Sequence, residues 1–109
     1  MSAQTLKSVN AETLHQWLNE ESVTLIDVRE VYEHNTFNIG GKLMVLSEIM
    51  YHAHEIPREG KVVLYCRKGV RSTIAIQKLE EKHGFNNLYN LTGGIEEWIR
   101  FTNNASLFR

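Results

Sequence analysis

Apolar positions along the chain follow two rhythms that take turns. Leu14, Trp17 and Leu18 recur at helical spacing behind Asn10, a residue suited to capping, with Glu12 in the first turn. Val23-Thr24-Leu25-Ile26 is a short β-branched run that predicts a strand, and charge replaces apolar side chains at Asp27-Val28-Arg29-Glu30. A short helix is expected from about Tyr32 to Phe37, ended by Gly40-Gly41, and Leu43-Met44-Val45 is a strand candidate. Ser47 is placed to cap a further helix with Ile49, Ala53 and Ile56 facing inward, closed by Pro57 and Gly60.

The second half repeats the alternation more clearly. Val62-Val63-Leu64-Tyr65 is apolar without interruption, the look of a strand buried on both faces of a parallel sheet. Ser72, Ala75, Ile76 and Leu79 then line one face of a helix, with Gln77, Lys78, Glu80 and Glu81 outside and Gly84 as the C-terminal stop. Asn87 to Leu91 predicts the last strand. Gly93-Gly94 turns the chain into a final helix that directs Ile95, Trp98 and Ile99 inward and begins with Glu96 and Glu97. Strands alternating with helices predict an α/β fold with a parallel sheet covered by helices on both faces. Such sheets bind ligands where strands end and helices begin. The turn to inspect is therefore the one after Val62–Tyr65.

Length and charge narrow the picture. The chain has 109 residues, which suits one domain over 1–109, with a core at about 6–101 and a soft tail at 102–109 in which Leu107 and Phe108 either dock or fray. Formal net charge is −1, so no global field draws the protein to nucleic acid or an anionic membrane, and any attraction for an anion must be local. A single cysteine, Cys66, excludes an internal disulfide and a paired-cysteine zinc site. A lone thiol suits a reducing compartment, and the N-terminal residues lack a signal-peptide pattern. A soluble, cytoplasmic, monomeric protein is expected.

The local attraction lies in the turn already singled out. Residues 66–71 read Cys66-Arg67-Lys68-Gly69-Val70-Arg71, with three cations and no anion, and Ser72 follows. Backbone N–H groups in a strand-to-helix loop converge into an anion cradle, and the helix N-terminus adds positive potential. Gly69 permits the positive φ that a tight cradle needs. A free thiol ionises near pH 8.5, and this setting lowers that value and favours the nucleophilic thiolate. Arg71 is suited to holding two oxygens of an oxyanion. The competing reading, a small buried cysteine beside a solvated basic turn, loses weight once the whole loop and its place are considered.

These residues resemble the rhodanese family of sulfurtransferases. Cys66 to Ser72 looks like that family's active-site loop. Leu25-Ile26-Asp27-Val28-Arg29-Glu30 resembles the segment after its early core strand, and Leu91-Thr92-Gly93-Gly94-Ile95 with Trp98 resembles its C-terminal signature. The likeness spans about Leu6 to Phe101. The chain departs from the pattern at Val31, where many relatives have proline, and at Phe37-Asn38-Ile39-Gly40-Gly41, where relatives often show Gly-His-Ile-Pro-Gly. The resemblance implies a single domain with a five-stranded parallel sheet flanked by helices on both faces. It also implies a persulfide on Cys66, surrounded by backbone N–H groups of Arg67 to Arg71.

The reaction so implied is a two-step transfer. The Cys66 thiolate takes a sulfane sulfur from a small anionic donor, thiosulfate or a persulfide, and passes it to cyanide or to an external thiol or protein acceptor. No metal or organic cofactor is needed. A non-catalytic or sulfur-carrier interaction module is the alternative. A cysteine-dependent phosphatase or arsenate reductase fits less well, because rhodanese-like phosphatases carry five residues between Cys and Arg and here there are four, Arg67 to Val70. Asp27 and Arg29 are expected to support the loop through hydrogen bonds rather than react. His52 and His54 read as a solvated pair, His15, His34 and His83 as isolated and exposed, and Gly93-Gly94 as a close approach beside the site.

Overall fold

Five parallel strands form one sheet in the order β1-β5-β4-β2-β3, in a computed structural model that describes residues 6–20 and 22–106. In chain order the elements are β1 (Ser8–Val9), α1 (Ala11–Glu20), β2 (Val23–Asp27), α2 (Val31–Thr36), β3 (Lys42–Leu43), a 3-10 helix (Leu46–Glu55), β4 (Lys61–Tyr65), α3 (Val70–His83), β5 (Leu88–Leu91) and α4 (Gly94–Ser106). The central strand is β4, the uninterrupted apolar run. It pairs with β2 from Val23↔Lys61 to Asp27↔Tyr65 and with β5 from Val62↔Leu88 to Leu64↔Asn90.

Strand alternation sorts the interior into two layers. Val62 and Leu64 join Ile26, Ile49, Ala75, Ile76, Leu79, Phe85 and Leu88 under α3 and the 3-10 helix. Val63 and Tyr65 point the other way, to Leu14, Leu25, Leu91 and Ile95 under α1 and α4. Cys66 continues the parity of Val62 and Leu64 and so belongs to the α3 layer. Asn90 is level with Leu64 on β5, which directs it to the same layer.

Most predicted elements are found. Asn10 caps α1, its Oδ1 accepting the Thr13 N–H at 2.8 Å. The buried face of α3 is Ser72, Ala75, Ile76 and Leu79, and Gly84 ends the helix in the left-handed region with φ 70°. Three expectations need correction, and one element had no prediction. The 3-10 helix starts at Leu46 with Val45 at its cap, because the Leu46 N–H is held by Val28 O at 3.0 Å; Ser47 falls inside the first turn and caps nothing. Leu18 and Ile99 are exposed, since α1 and α4 bury only a narrow stripe containing Leu14 and Ile95, with Trp17 and Trp98 half-buried beside it. The edge strand β1 is two residues long, too short for a periodic signal. Finally, α4 runs on through 102–106, where no glycine or proline stops it and the Thr102 hydroxyl bonds Trp98 O at 3.0 Å. Leu107 and Phe108 lie outside the described residues.

Candidate active site

Cys66 leaves the carboxyl end of β4 and is 1% exposed, with its sulfur on the floor of the loop that leads into α3. The Gly69 N–H donates to Sγ at 3.1 Å and the Ser72 N–H at 3.4 Å, and Ser72 Oγ lies 3.4 Å away. Burial pushes the thiol pKa up. The Ser72 hydroxyl and the N–H groups of Ser72, Gly69 and Lys68 outweigh it, and the thiol ends below its ordinary value. Val70 and Arg71 open α3, so their N–H groups have no intrahelical acceptor and remain open to a ligand.

The loop's amides point inward because α4 holds its carbonyls outward. The Ile95 N–H donates to Cys66 O at 2.9 Å and the Glu96 N–H to Arg67 O at 3.2 Å. In a trans peptide the N–H points opposite to the carbonyl, so the next amides, those of Arg67 and Lys68, turn toward the sulfur side. This approach requires Gly94. At φ 62°, a Cβ there would sit 2.4 Å from Arg67 O and 2.5 Å from Cys66 O. Gly69 supplies the other special conformation, φ 102° at the start of α3, which aims its own N–H at Sγ.

Two of the loop's three cations are engaged. Arg71 makes a two-pronged ion pair with Glu33 of α2, Nη1 to Oε1 at 2.7 Å and Nη2 to Oε2 at 3.0 Å. This holds the Glu33 carboxyl at a pKa of about 2. Arg67 Nε donates to Glu96 Oε2 at 2.8 Å. The oxyanion-binding fork expected of Arg71 is therefore occupied by a carboxylate of the protein itself.

Behind Cys66, Ser72 is buried and its hydroxyl donates to Asn90 Oδ1 at 2.5 Å. Asp27 and Arg29 form a separate buried pair. Asp27 accepts from Arg29 N at 3.0 Å, Nε at 2.9 Å and Nη2 at 2.8 Å, and His34 Nδ1 lies 2.8 Å from its Oδ2. Burial raises the Asp27 carboxyl, but the Arg29 and His34 hydrogen bonds carry it below its ordinary value. Arg29 Nη2 also donates to Phe37 O at 2.6 Å, and the Tyr65 hydroxyl to Gly40 O at 2.8 Å. The pair at Phe37 and the Tyr65 hydroxyl at Gly40 thus brace residues 37–40, within the stretch that departs from the family pattern. The Asp27–Arg29 pair also contacts α2 through His34, and the Tyr65 ring, on the strand that leads into Cys66, lies 5.8 Å from the Arg29 guanidinium; its hydrogen bonds do not extend to residues 66–71.

The family model for the rhodanese-like domain matches residues 10–101. The chain belongs to the rhodanese-like domain family. A sulfurtransferase of Allochromatium vinosum is 35% identical over 97 residues, covering 87% of this chain and 90% of that protein. A protein named as a sulfur carrier in Bacillus subtilis is 27% identical over 99 residues, and the chain, 89% of which is matched, spans 53% of that relative's length. The crystal structure of a rhodanese-like domain protein from Staphylococcus aureus superposes with a TM-score of 0.78 at 26% identity, covering 85% of this chain and 91% of that one.

Within this rhodanese-like domain, the structure brings Cys66, Gly69, Ser72 and the amides of 67–71 together, and sets Asp27 and Arg29 apart. Sequence reasoning missed Glu33, Asn90 and His34. Asn90 had a signal, a polar residue at a buried strand position between Tyr89 and Leu91. Glu33 had another, three residues after Glu30 at the start of α2, where its Oε1 accepts the Glu30 N–H at 3.0 Å. His34 is half-buried on Asp27 rather than exposed, and His15 packs against Trp98 and Phe101 at ring distances of 6.1 Å and 5.6 Å. His52 bonds Glu55 at 2.8 Å, whereas His54 and His83 are exposed.

Proposed function

We propose that this rhodanese-like domain carries a sulfane sulfur on Cys66, taking it from a thiosulfate or persulfide donor and giving it to an external acceptor. The observation that carries this reading is the nest around Sγ: two N–H groups and a hydroxyl within 3.4 Å of a buried cysteine whose thiol is lowered. In the first half-reaction the thiolate attacks the donor's outer sulfur. A Cys66–S bond forms, the donor's S–S bond breaks, and sulfite or a thiolate leaves with the electron pair. The open amides of Val70 and Arg71 offer hydrogen bonds to the anionic outer sulfur of the persulfide, an oxyanion-hole role. In the second half-reaction a thiol or cyanide attacks that outer sulfur and releases the Cys66 thiolate. The chain has no second cysteine, so the acceptor is a separate molecule. Ping-pong kinetics follow from the covalent intermediate. The cycle needs Cys66 reduced, which fits a reducing compartment such as the cytoplasm. Among the described residues, no helix is long and apolar enough to cross a membrane.

Intact mass after incubation with thiosulfate, or with a persulfide, tests the proposal. The wild type should gain one sulfur atom, cyanide should remove it, and Cys66→Ser should gain none. A wild type that gains no sulfur from either donor while its thiol still accepts an alkylating reagent would sink it in favour of a binding module.

A further inference from the structure

Three cations lie within the five residues after Cys66, yet carboxylates from other elements neutralise two of them. The two pairs differ in weight. Arg67 and Glu96 are 67% and 37% exposed, a pair that water and salt weaken. Arg71 and Glu33 are 32% and 16% exposed and joined by two parallel hydrogen bonds. Glu33 Oε1, which accepts Arg71 Nη1, also accepts the Glu30 N–H at 3.0 Å, so the carboxylate is fixed at the start of α2 rather than loosely adjacent. Arg71 lies within electrostatic reach of the Cys66 sulfur. Among the described residues, Lys68 is the one loop cation without an ion-pair partner. A doubly charged donor entering this mouth meets the thiolate and Glu33, while the arginine that would hold its oxygens is already engaged. Next to these groups, Val70 of the loop is 66% exposed and Tyr32 of α2, adjacent to Glu33, 71% exposed. The Val70 side chain and the Tyr32 ring give apolar contact to an organic body.

We infer that Glu33 sets donor specificity, favouring an organic persulfide of low charge over the thiosulfate dianion. This rests on the sulfur-transfer reading and narrows its donor. In the favoured step the Cys66 thiolate attacks the outer sulfur of R–S–SH. The new Cys66–S bond forms as the donor's S–S bond breaks, RS⁻ departs with the electron pair, and the proton stays with the transferred sulfur. No external oxidant or reductant enters.

The test compares second-order rates of Cys66 loading from thiosulfate and from the persulfide of N-acetylcysteamine, whose body is uncharged. Wild type should load faster from the persulfide. Glu33→Gln, which removes the charge and keeps the shape, should raise the thiosulfate rate about tenfold, the scale of releasing one charge-assisted pair. The persulfide rate should stay within about twofold, and the thiosulfate gain should shrink as salt is added. Equal changes for both donors, or an unchanged thiosulfate rate in the folded variant, would overturn the inference. So would a wild type that prefers thiosulfate, a result that stands even if the variant does not fold. Loading from neither donor would instead remove the sulfur-transfer reading beneath it.

Discussion

Replacing Ser72 by alanine should raise the pKa of Cys66, and removing Asn90 should lower it. The Ser72 hydroxyl has one proton and two neighbours to give it to, Asn90 Oδ1 at 2.5 Å and Cys66 Sγ at 3.4 Å. With the proton on the Asn90 side, Ser72 Oγ is an acceptor for the neutral thiol. To serve the thiolate, the hydroxyl must turn from Asn90 toward the sulfur. A hydrogen bond to a charged group contributes about 1.5–3 kcal/mol, and about 1.4 kcal/mol corresponds to one pKa unit. Competition from Asn90 takes away part of this, so Ser72→Ala should raise the thiol by about one unit. The amides of Gly69, Ser72 and Lys68 remain and keep the shift from growing larger. Asn90→Ala leaves the hydroxyl with the sulfur as its one strong acceptor and should lower the thiol by about half a unit. The assay is the pH dependence of iodoacetamide alkylation together with thiolate ultraviolet absorbance, on variants whose circular dichroism matches wild type. The pH profile of sulfur loading should move with the thiol, to higher pH for Ser72→Ala. Shifts of the same sign in both variants, or a Ser72→Ala shift below about 0.3 units, would refute the reasoning and leave the amides as sole stabilisers.

Two further outcomes follow from the loop's supports. Gly94→Ala puts a methyl 2.4 Å from Arg67 O at φ 62°, so denaturant unfolding should show a loss of about 2–4 kcal/mol together with slower sulfur loading; a loss under about 0.5 kcal/mol would contradict the close approach. Glu33 has a folded pKa of about 2 against an ordinary 4.5, so its contribution is present above about pH 4.5 and is lost as pH falls through 2. The stability difference between wild type and Glu33→Gln should therefore shrink across that window, and a difference that stays constant from pH 6 to pH 2.5 would show that the ion pair is not its source.

Much of the fold was legible because periodicity is a local property. The uninterrupted Val62–Tyr65 run, the Ser72-Ala75-Ile76-Leu79 face and the Gly84 stop each depend on backbone geometry within a few residues, and each appears where the pattern puts it. The position of Cys66 at a strand-to-helix turn is of the same kind. Leu18 and Ile99 show the limit of that reasoning: apolar spacing told which side of a helix they occupy, but how much of that side is covered depends on what packs there.

The sequence by itself determined the position of Cys66, its loop and the elements on either side, since these are contiguous. Tertiary structure alone decided what the loop's charges meet. The strand order β1-β5-β4-β2-β3 places β5 and α4 on one side of β4 and β2 with α2 on the other. That order brings Asn90 to Ser72 and Glu96 to Arg67 from one side, and Glu33 to Arg71 from the other. A run of cations read along the chain looks like an open anion site. In the fold, carboxylates 29 and 38 residues away close two of its three positions, because ion pairing depends on distance in space and not on separation along the chain.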